Sequence, residues 1–300
     1  MKFFKTRLFK IISIGVAALL VAYLGLSVFG ANRAMEIPRL PLVYQAKALG
    51  LAYEDVSFKS RGDDITLKGW FLPGTNSQAV IIVHGGFQNR IDDNVKTPEL
   101  ARGLVDRGYN VLLWDLRGRG ESAGQGLSLS FIDEDIGGAV DYLKGRGFAA
   151  QDICLLGFCS GATMSCIYGS RNDIGALVLD GCFYDDGRMV MRQAESIDIP
   201  GWLAGFFMPG GLLFSSVIYG FHRIDPIDVI PDIRCPVFFI HEENDEFTTM
   251  EETRQMFGVS VNPANEIWEA LASTHSQGFR NHPQEYIDRV DAFLTKLHLP

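Results

Sequence analysis

The chain has 300 residues, of which 47% are hydrophobic and 21% charged, and its formal net charge at pH 7 is -9. This composition is typical of a well-packed globular domain and excludes the disordered and fibrous classes. The negative charge argues against a nucleic-acid partner, because binding to phosphates needs a basic surface.

The first 30 residues combine a basic flank at 1–10 with an apolar run at 11–30 that contains no charged residue. A helix of that length spans about 30 Å, the thickness of the hydrocarbon core of a bilayer. A cleavable signal peptide is the alternative, but its apolar region is usually shorter, about 7–15 residues. The sequence at 28–31, Val-Phe-Gly-Ala, also matches a cleavage site poorly. We therefore expect an uncleaved transmembrane signal anchor at 11–30, followed by a linker at 31–50.

The orientation of this anchor follows from the basic residues around it. Four basic residues precede the apolar run, whereas Arg33, Arg39 and Lys47 follow it. The positive-inside rule then favours a cytoplasmic N-terminus, a single membrane pass and a main domain on the exocytoplasmic side.

The five cysteines do not form a disulfide or zinc pattern. Their number is odd, no C-x-x-C pair occurs, and most of them fall in or beside apolar runs, at Cys154, Cys166, Cys182 and Cys235. Free cysteines in such runs pack as small hydrophobic residues. We expect no metal site and no cofactor. The absence of a disulfide framework fits a reducing compartment better, which weighs against the external assignment.

From residue 51 to the end, short apolar strands alternate with helical patterns. An antiparallel pair is predicted at 56–58 and 66–71, before buried strands at 79–84, 109–115, 153–157, 176–180, 236–241 and 266–271. Helices are predicted at 98–107, 132–143 and 160–168, and after each of the last two strands. This alternation predicts one α/β domain at 51–300, with a mostly parallel sheet and helices on both faces. Functional residues should gather at the carboxyl ends of the strands.

One segment, at about 183–230, interrupts this alternation. Its residues 199–221 carry no charge and could by length form a second membrane span. We expect a helix to be broken here by two prolines and two glycines, Pro200, Pro209, Gly210 and Gly211. A span would also put the strands before and after it on opposite sides of the membrane. The preferred interpretation is a cap insertion made of short helices.

The sequence LLGFCSGATM, at 155–164, has the pattern of a nucleophile on a tight strand-to-helix turn. Such a turn needs small residues two positions either side of the nucleophile. Gly157 and Gly161 flank Cys159 in this way, whereas Phe158 would clash if Ser160 were the nucleophile. The helix that follows would favour a thiolate at Cys159. A buried structural cysteine is the alternative.

A cysteine nucleophile needs a base and an acid that orients the base. His275 follows the last apolar strand, whereas its rival His282 precedes a proline and fits a helix start on the surface. Asp245, just beyond the penultimate strand, is the preferred acid. Asp180, at the end of the strand 176–180, is the alternative acid because a side chain there could also reach the histidine.

Two glycines after the strand 79–84 indicate an oxyanion hole, in which backbone N–H groups stabilise a developing negative charge. In VHGGFQNR, at 83–90, Gly86 or Phe87 would supply one donor, and Ser160 the other. The segment DLRGRGES, at 115–122, resembles a dinucleotide loop only superficially. Its third glycine is at 124 rather than 123 and no helix begins there, so no cofactor is expected.

Taken in order, these motifs resemble the α/β-hydrolase superfamily from about residue 50 to the end. The similarity is greatest to prolyl-oligopeptidase-like and esterase-type members with an N-terminal membrane anchor. It implies an eight-stranded, mostly parallel sheet with Cys159, Asp245 and His275 in the triad positions. The strand-to-helix turn around residue 159, called the elbow, usually carries serine in this superfamily. Cysteine at that position resembles dienelactone hydrolase, which uses a Cys-His-Asp triad. HEENDE replaces the common H-G-x-x-D, so Glu242 stands where a glycine is usual.

These features predict a membrane-anchored hydrolase of esters, thioesters or lactones that works through a covalent acyl-enzyme. We expect a small-molecule or lipid-like acyl substrate, because the predicted cap is apolar. A peptidase of the prolyl-oligopeptidase-like type is one alternative. A non-catalytic binding module on a degenerate hydrolase fold is the other, although such a module has no need for all three triad residues.

Overall fold

The structure, a computed structural model, describes residues 2–297, with the side chains of all of these except 2–6, 48 and 49. These residues form two compact units. One unit contains residues up to 36 together with 190–223, and the other contains residues 37–189 together with those from 224 onward.

The larger unit is built on one eight-stranded sheet with the strand order β1-β2-β4-β3-β5-β6-β7-β8. β2 is antiparallel to both β1 and β4, and every other neighbouring pair is parallel. The strands are β1 Glu54–Lys59, β2 Thr66–Leu72, β3 Ala79–Val83, β4 Asn110–Trp114, β5 Ile153–Phe158, β6 Ala176–Asp180, β7 Val237–Asn244 and β8 Glu266–Thr274. The predicted mostly parallel sheet is confirmed, with strand limits within a few residues of those expected.

Ten helices lie in the described part of the chain. They are α1 Lys2–Met35, α2 Thr97–Asp106, α3 Ile132–Gly145, α4 Ser160–Gly169, α5 Asp186–Ser196, α6 Gly201–Tyr219, α7 Pro226–Val229, α8 Met250–Val259, α9 Gly278–Asn281 and α10 Pro283–Lys296. Short 3₁₀ turns occupy 46–49, 150–152 and 230–232.

The core of the larger unit has two layers, one on each face of the sheet. Alternate residues of β3 point to opposite faces, with Val80 and Ile82 in one layer and Ile81 and Val83 in the other. Helices α2 and α10 cover the first layer, and α3, α4 and α8 cover the second. Because both faces are covered, β3 to β6 are buried along their whole length, as in doubly wound α/β proteins. Because β5, β6, β7 and β8 are parallel neighbours, their carboxyl ends meet at one edge of the sheet.

The smaller unit contains α1 and α6 packed side by side. The ring of Tyr23 contacts those of Phe206 and Phe207, at centroid distances of 5.2 and 5.3 Å. A Cβ atom on Gly210 would lie 2.2 Å from the hydroxyl oxygen of Ser27, so the glycine allows the two helices to approach closely.

The prediction that prolines and glycines break any helix at 199–221 is wrong. Helix α6 runs unbroken for 19 residues and includes Pro209. Proline costs one backbone hydrogen bond within a helix, and Gly210 adds backbone flexibility. Packing against α1, which no local pattern reveals, outweighs these costs. Pro200 does mark a boundary, because α6 begins directly after it.

Two described helices are long and apolar enough to cross a membrane by length and composition. They are α1 from Arg7 to Met35, with a mean hydropathy of 2.4, and α6, with a mean hydropathy of 1.5. Little of either is buried within the protein: 6% of the apolar window in α1 and 11% in α6.

Candidate active site

Cys159 occupies the sharp turn between β5 and α4. Its backbone angles are φ 55° and ψ −125°, a conformation that costs a non-glycine residue free energy and that clusters at functional sites. Its N–H donates to the carbonyl of Asp180 at 2.9 Å, which fixes the turn against the end of β6. The turn therefore holds the Cys159 side chain at the edge of the sheet, just before the first turn of a helix.

The two glycines that flank Cys159 leave no space for side chains. A Cβ atom on Gly157 would lie 2.5 Å from the carbonyl oxygen of Gly161. A Cβ atom on Gly161 would lie 2.2 Å from the carbonyl oxygen of Val83. Positions 157 and 161 carry glycine because neighbouring backbone atoms leave no room for a side chain, as expected for a tight strand-to-helix turn.

Cys159 is partly exposed at the edge of the sheet, whereas most of the other cysteines are buried. All five are free thiols, but Cys154, Cys166 and Cys182 are fully buried. Burial raises the pKa of Cys154, and it raises the pKa of the partly buried Cys235 to about 12. Cys154 and Cys235 therefore stay protonated and unreactive at neutral pH.

His275 follows β8 directly and forms a hydrogen bond to the preferred acid. Its Nδ1 lies 2.7 Å from Oδ2 of Asp245. The other carboxylate oxygen of Asp245 accepts the N–H groups of Phe247 at 2.7 Å and Thr248 at 3.0 Å. Burial would raise the pKa of Asp245, but His275 and these N–H groups hold it below its ordinary value. Asp245 therefore stays ionised and fixes which ring nitrogen of His275 carries a proton.

The imidazole of His275 lies among aromatic rings. It stacks on Phe183 and is nearly perpendicular to the ring of Phe247, at centroid distances of 5.7 and 4.9 Å. Burial alone would lower the pKa of His275, but Cys159 on one side and Asp245 on the other raise it well above its ordinary value. Its Nε2 is buried, and an interaction with the Cys159 side chain contributes to this rise in pKa. A protonated imidazole next to a sulfur atom stabilises the thiolate form of that sulfur.

Asp180, the alternative acid, bonds to other groups. The hydroxyl of Tyr286 donates to Oδ2 of Asp180 at 2.8 Å, and the carboxyl groups of Asp180 and Glu242 interact electrostatically. Glu242 is completely buried, and burial together with the charge of Asp180 raises its pKa well above the ordinary value. We infer that Glu242 is protonated at neutral pH and donates to Asp180, so the pair carries one proton and one negative charge. The sequence marks Glu242 as unusual but gives no sign of Tyr286.

The glycine loop after β3 lies against the elbow. A Cβ atom on Gly85 would lie 3.5 Å from Cβ of Cys159, and one on Gly86 would lie 2.8 Å from Oγ of Ser160. Ser160 is the first residue of α4, where a backbone N–H has no partner within the helix. Phe87 follows Gly86, and its side chain is 51% exposed. The three expected oxyanion donors thus lie on two segments that meet beside Cys159.

His84 supports this loop, and the sequence did not single it out. Burial lowers its pKa to about 4, so its ring is neutral at physiological pH. Nε2 accepts the N–H of Leu116 at 3.2 Å, and the protonated Nδ1 then donates to the carbonyl of Gly85 at 2.8 Å. The rival histidine, His282, lies at the start of α10, with Nε2 2.6 Å from the carbonyl oxygen of Leu271.

Comparison with known proteins identifies one family model and several relatives in sequence. Residues 74–212 match the model of the family described as serine aminopeptidase, S33, a match that includes the Cys159 elbow and ends before Asp245. The chain is 26% identical to the uncharacterized protein YqkD of Bacillus subtilis, over 77% of this chain and 76% of YqkD. It is 24% identical to the uncharacterized protein YfhR of Escherichia coli K12, over 78% of this chain and 80% of YfhR.

Among solved structures, the esterase Pf2001 of Pyrococcus furiosus is similar throughout. It is 26% identical, with a TM-score of 0.74, and the match covers 88% of this chain and 98% of the esterase. The strand order, the turn at Cys159 and these relatives agree on the predicted α/β-hydrolase fold. The chain therefore has the α/β-hydrolase fold and is an enzyme, and esterases are among the solved structures that it resembles.

Proposed function

We propose that the protein hydrolyses ester, thioester or lactone bonds, with Cys159 as nucleophile, His275 as acid and base, and Asp245 as the group that orients His275. The observation that carries this proposal is the electrostatic coupling of the three residues. Cys159 and Asp245 together raise the pKa of His275 against the effect of burial. An imidazolium held between a thiolate and a carboxylate is the resting state of a thiol hydrolase.

The reaction would follow two steps. The Cys159 thiolate forms a bond to the substrate carbonyl carbon, and the carbonyl electron pair moves to oxygen. N–H groups of Ser160 and of Gly86 or Phe87 would stabilise that oxyanion. As the tetrahedral intermediate collapses, the leaving alcohol or thiol takes the proton of His275 Nε2 and a thioester remains on Cys159. Water, deprotonated by the now neutral His275, attacks the thioester and releases the acid, which restores the thiolate and the imidazolium.

Peptide cleavage is the second candidate, favoured by the match to the serine aminopeptidase family model. A thiolate leaves the tetrahedral intermediate more readily than an amine does, so amide cleavage depends on protonation of the departing nitrogen. Turnover of a p-nitrophenyl ester can be compared with turnover of the matching aminoacyl p-nitroanilide. Faster turnover of the anilide would favour the peptidase.

We also propose that residues 11–30 anchor the enzyme in a membrane as a single pass, with the catalytic domain on the exocytoplasmic side. The length and hydropathy of α1 support this proposal. Helix α6 is unsuited to be a second complete crossing, since β6 and β7, which precede and follow it, pair directly in one sheet. An apolar, lipid-like acyl chain is the substrate class that fits a membrane location. A reporter fused to the C-terminus would determine the orientation.

The catalytic proposal is tested by esterase assays and thiol alkylation on the purified full-length chain in detergent. Wild type should hydrolyse p-nitrophenyl esters, and Cys159→Ala should not. Because the pKa of His275 lies above its ordinary value of 6.5, the imidazolium persists at pH 7. Iodoacetamide should then alkylate wild-type Cys159 rapidly at pH 7, whereas in His275→Ala alkylation should rise only toward about pH 8.5, as for an ordinary thiol. Equal alkylation rates in the two proteins at pH 7 would refute the proposed role of His275.

A further inference from the structure

Arg119, in the DLRGRGES loop after β4, contacts the glycine loop beside Cys159. Its Nε donates to the carbonyl oxygen of Gly86 at 2.8 Å. The residue is only 2% exposed. Its second polar contact is longer, with Nη1 3.5 Å from the carbonyl oxygen of Arg117.

Arg119 differs from Arg117, two residues earlier, in how its charge is balanced: Asp135, whose charge also acts on Arg119, forms its ion pair with Arg117. Arg117 forms ion pairs with Asp135 at 2.6 Å and Asp63 at 2.9 Å. Within the part of the chain that the structure describes, no carboxylate forms an ion pair with Arg119. Burial lowers the pKa of Arg119 to about 10, which still leaves it charged at neutral pH. A buried charge without an ion pair is costly.

The surrounding backbone is shaped to hold this guanidinium. A Cβ atom on Gly126 would lie 1.8 Å from Nη1 of Arg119, so any larger residue there would displace the side chain. Arg39 fixes the same loop by donating to the carbonyl oxygens of Gly120 at 2.9 Å and Ser122 at 2.6 Å. Arg119 is therefore held in one position.

The contact with Gly86 sets the direction of the next N–H group. The carbonyl of Gly86 and the N–H of Phe87 belong to one planar trans peptide and point in opposite directions. A hydrogen bond that fixes the carbonyl toward Arg119 therefore fixes the Phe87 N–H away from it. The glycine loop that carries this peptide also lies against Cys159 and Ser160.

We propose that Arg119 is a positioning residue for the oxyanion hole: it holds the Gly86–Phe87 peptide so that Phe87, rather than Gly86, supplies the N–H of this loop. Its unpaired charge also polarises that peptide and stabilises the oxyanion that develops beyond it. This inference rests on the proposed acyl-transfer function of Cys159. A tetrahedral oxyanion would supply a nearby negative charge to a guanidinium that has no ion pair among the described residues.

The test compares two reactions of Cys159 that differ in one respect. Ester hydrolysis passes through an oxyanion, whereas alkylation by iodoacetamide displaces iodide at a saturated carbon and forms none. Arg119→Gln should lower kcat for a p-nitrophenyl ester by about 10- to 100-fold, a part of the loss seen when a whole oxyanion donor is removed. KM and the alkylation rate of Cys159 should stay close to wild type. Arg119→Lys keeps the charge and should recover part of kcat.

Arg117→Gln is the matched control, since it removes the ion-paired arginine of the same loop. It should lower the thermal stability while the folded fraction keeps its kcat. The inference is overturned if Arg119→Gln retains kcat, or if turnover, alkylation and stability fall together as for a purely structural residue. Should Arg119→Gln fail to fold, the split between kcat and alkylation in Arg119→Lys decides the question. If wild type shows no turnover, or Cys159→Ala retains it, the proposed function itself fails and the inference falls with it.

Discussion

Replacing Glu242 with glutamine should remove a pH-dependent loss of stability that is built into the active-site edge of the sheet. Glu242 is fully buried beside Asp180, and its pKa in the folded protein lies well above the ordinary value of 4.5. Between these two values the folded state holds a proton that the unfolded state has released. The free energy of unfolding then falls as the pH rises, by about 1.4 kcal/mol per pH unit for one proton. Glutamine keeps the shape, stays neutral and can still donate to Asp180, so the part of the slope that Glu242 contributes should disappear, while the part from Asp180, whose pKa burial raises to about 6, remains.

The measurement is chemical unfolding of the purified chain in detergent, followed by near-UV circular dichroism at several pH values from about pH 5 to about pH 8. Wild type and Glu242→Gln should converge at the acid end and diverge as the pH rises, with the variant more stable. Glu246→Gln, an exposed neighbour in the same loop, is the control and should run parallel to wild type. Parallel curves for wild type and Glu242→Gln would refute the assignment of a shared proton to the pair.

Two further predictions concern the elbow and the acid. Gly161→Ala should destabilise the fold by about 2–4 kcal/mol in thermal unfolding, since its Cβ would lie 2.2 Å from a backbone oxygen of β3. The control is Gly145→Ala, whose Cβ would have no atom within 4 Å, and it should be neutral or stabilising. Equal effects of the two substitutions would contradict the close backbone contact at Gly161. Asp245→Asn should lower kcat for esters by about 10⁴-fold, because the hydrogen bond to His275 then fixes the wrong tautomer. Asp180→Asn should leave kcat of the folded enzyme within about 10-fold of wild type, and the reverse ranking would identify Asp180 as the acid.

The features that the sequence predicted well are those encoded by local spacing. The strands around β5 are short apolar runs between helical patterns, and this alternation is enough to specify a parallel sheet with two covered faces. The choice of Cys159 over Ser160 at the turn also rests on immediate neighbours, Gly157 and Gly161. Backbone atoms lie too close to both glycines for a side chain to fit, so the spacing of small residues in the sequence agrees with the packing.

The features that the sequence did not predict depend on contacts between distant residues. Pro209 would interrupt an isolated helix, but α6 gains its stability from α1, far away in the sequence. Tyr286 reaches Asp180 across 106 positions, and Arg119 reaches Gly86 across 33. No spacing rule connects such pairs, because each depends on which loops the sheet order brings together.

The contrast between Cys159 and the other four thiols has a practical consequence for work on the natural enzyme. A thiol-reactive probe such as a chloroacetamide should modify the unaltered chain at Cys159 alone. The remaining cysteines are buried or, like Cys235, kept protonated by a pKa of about 12. The stoichiometry of such labelling would count functional active sites directly. Preparations that fail to react with the probe could then be identified as inactive before the natural substrate is known. Candidate acyl compounds could be ranked by how well they protect Cys159 from the probe.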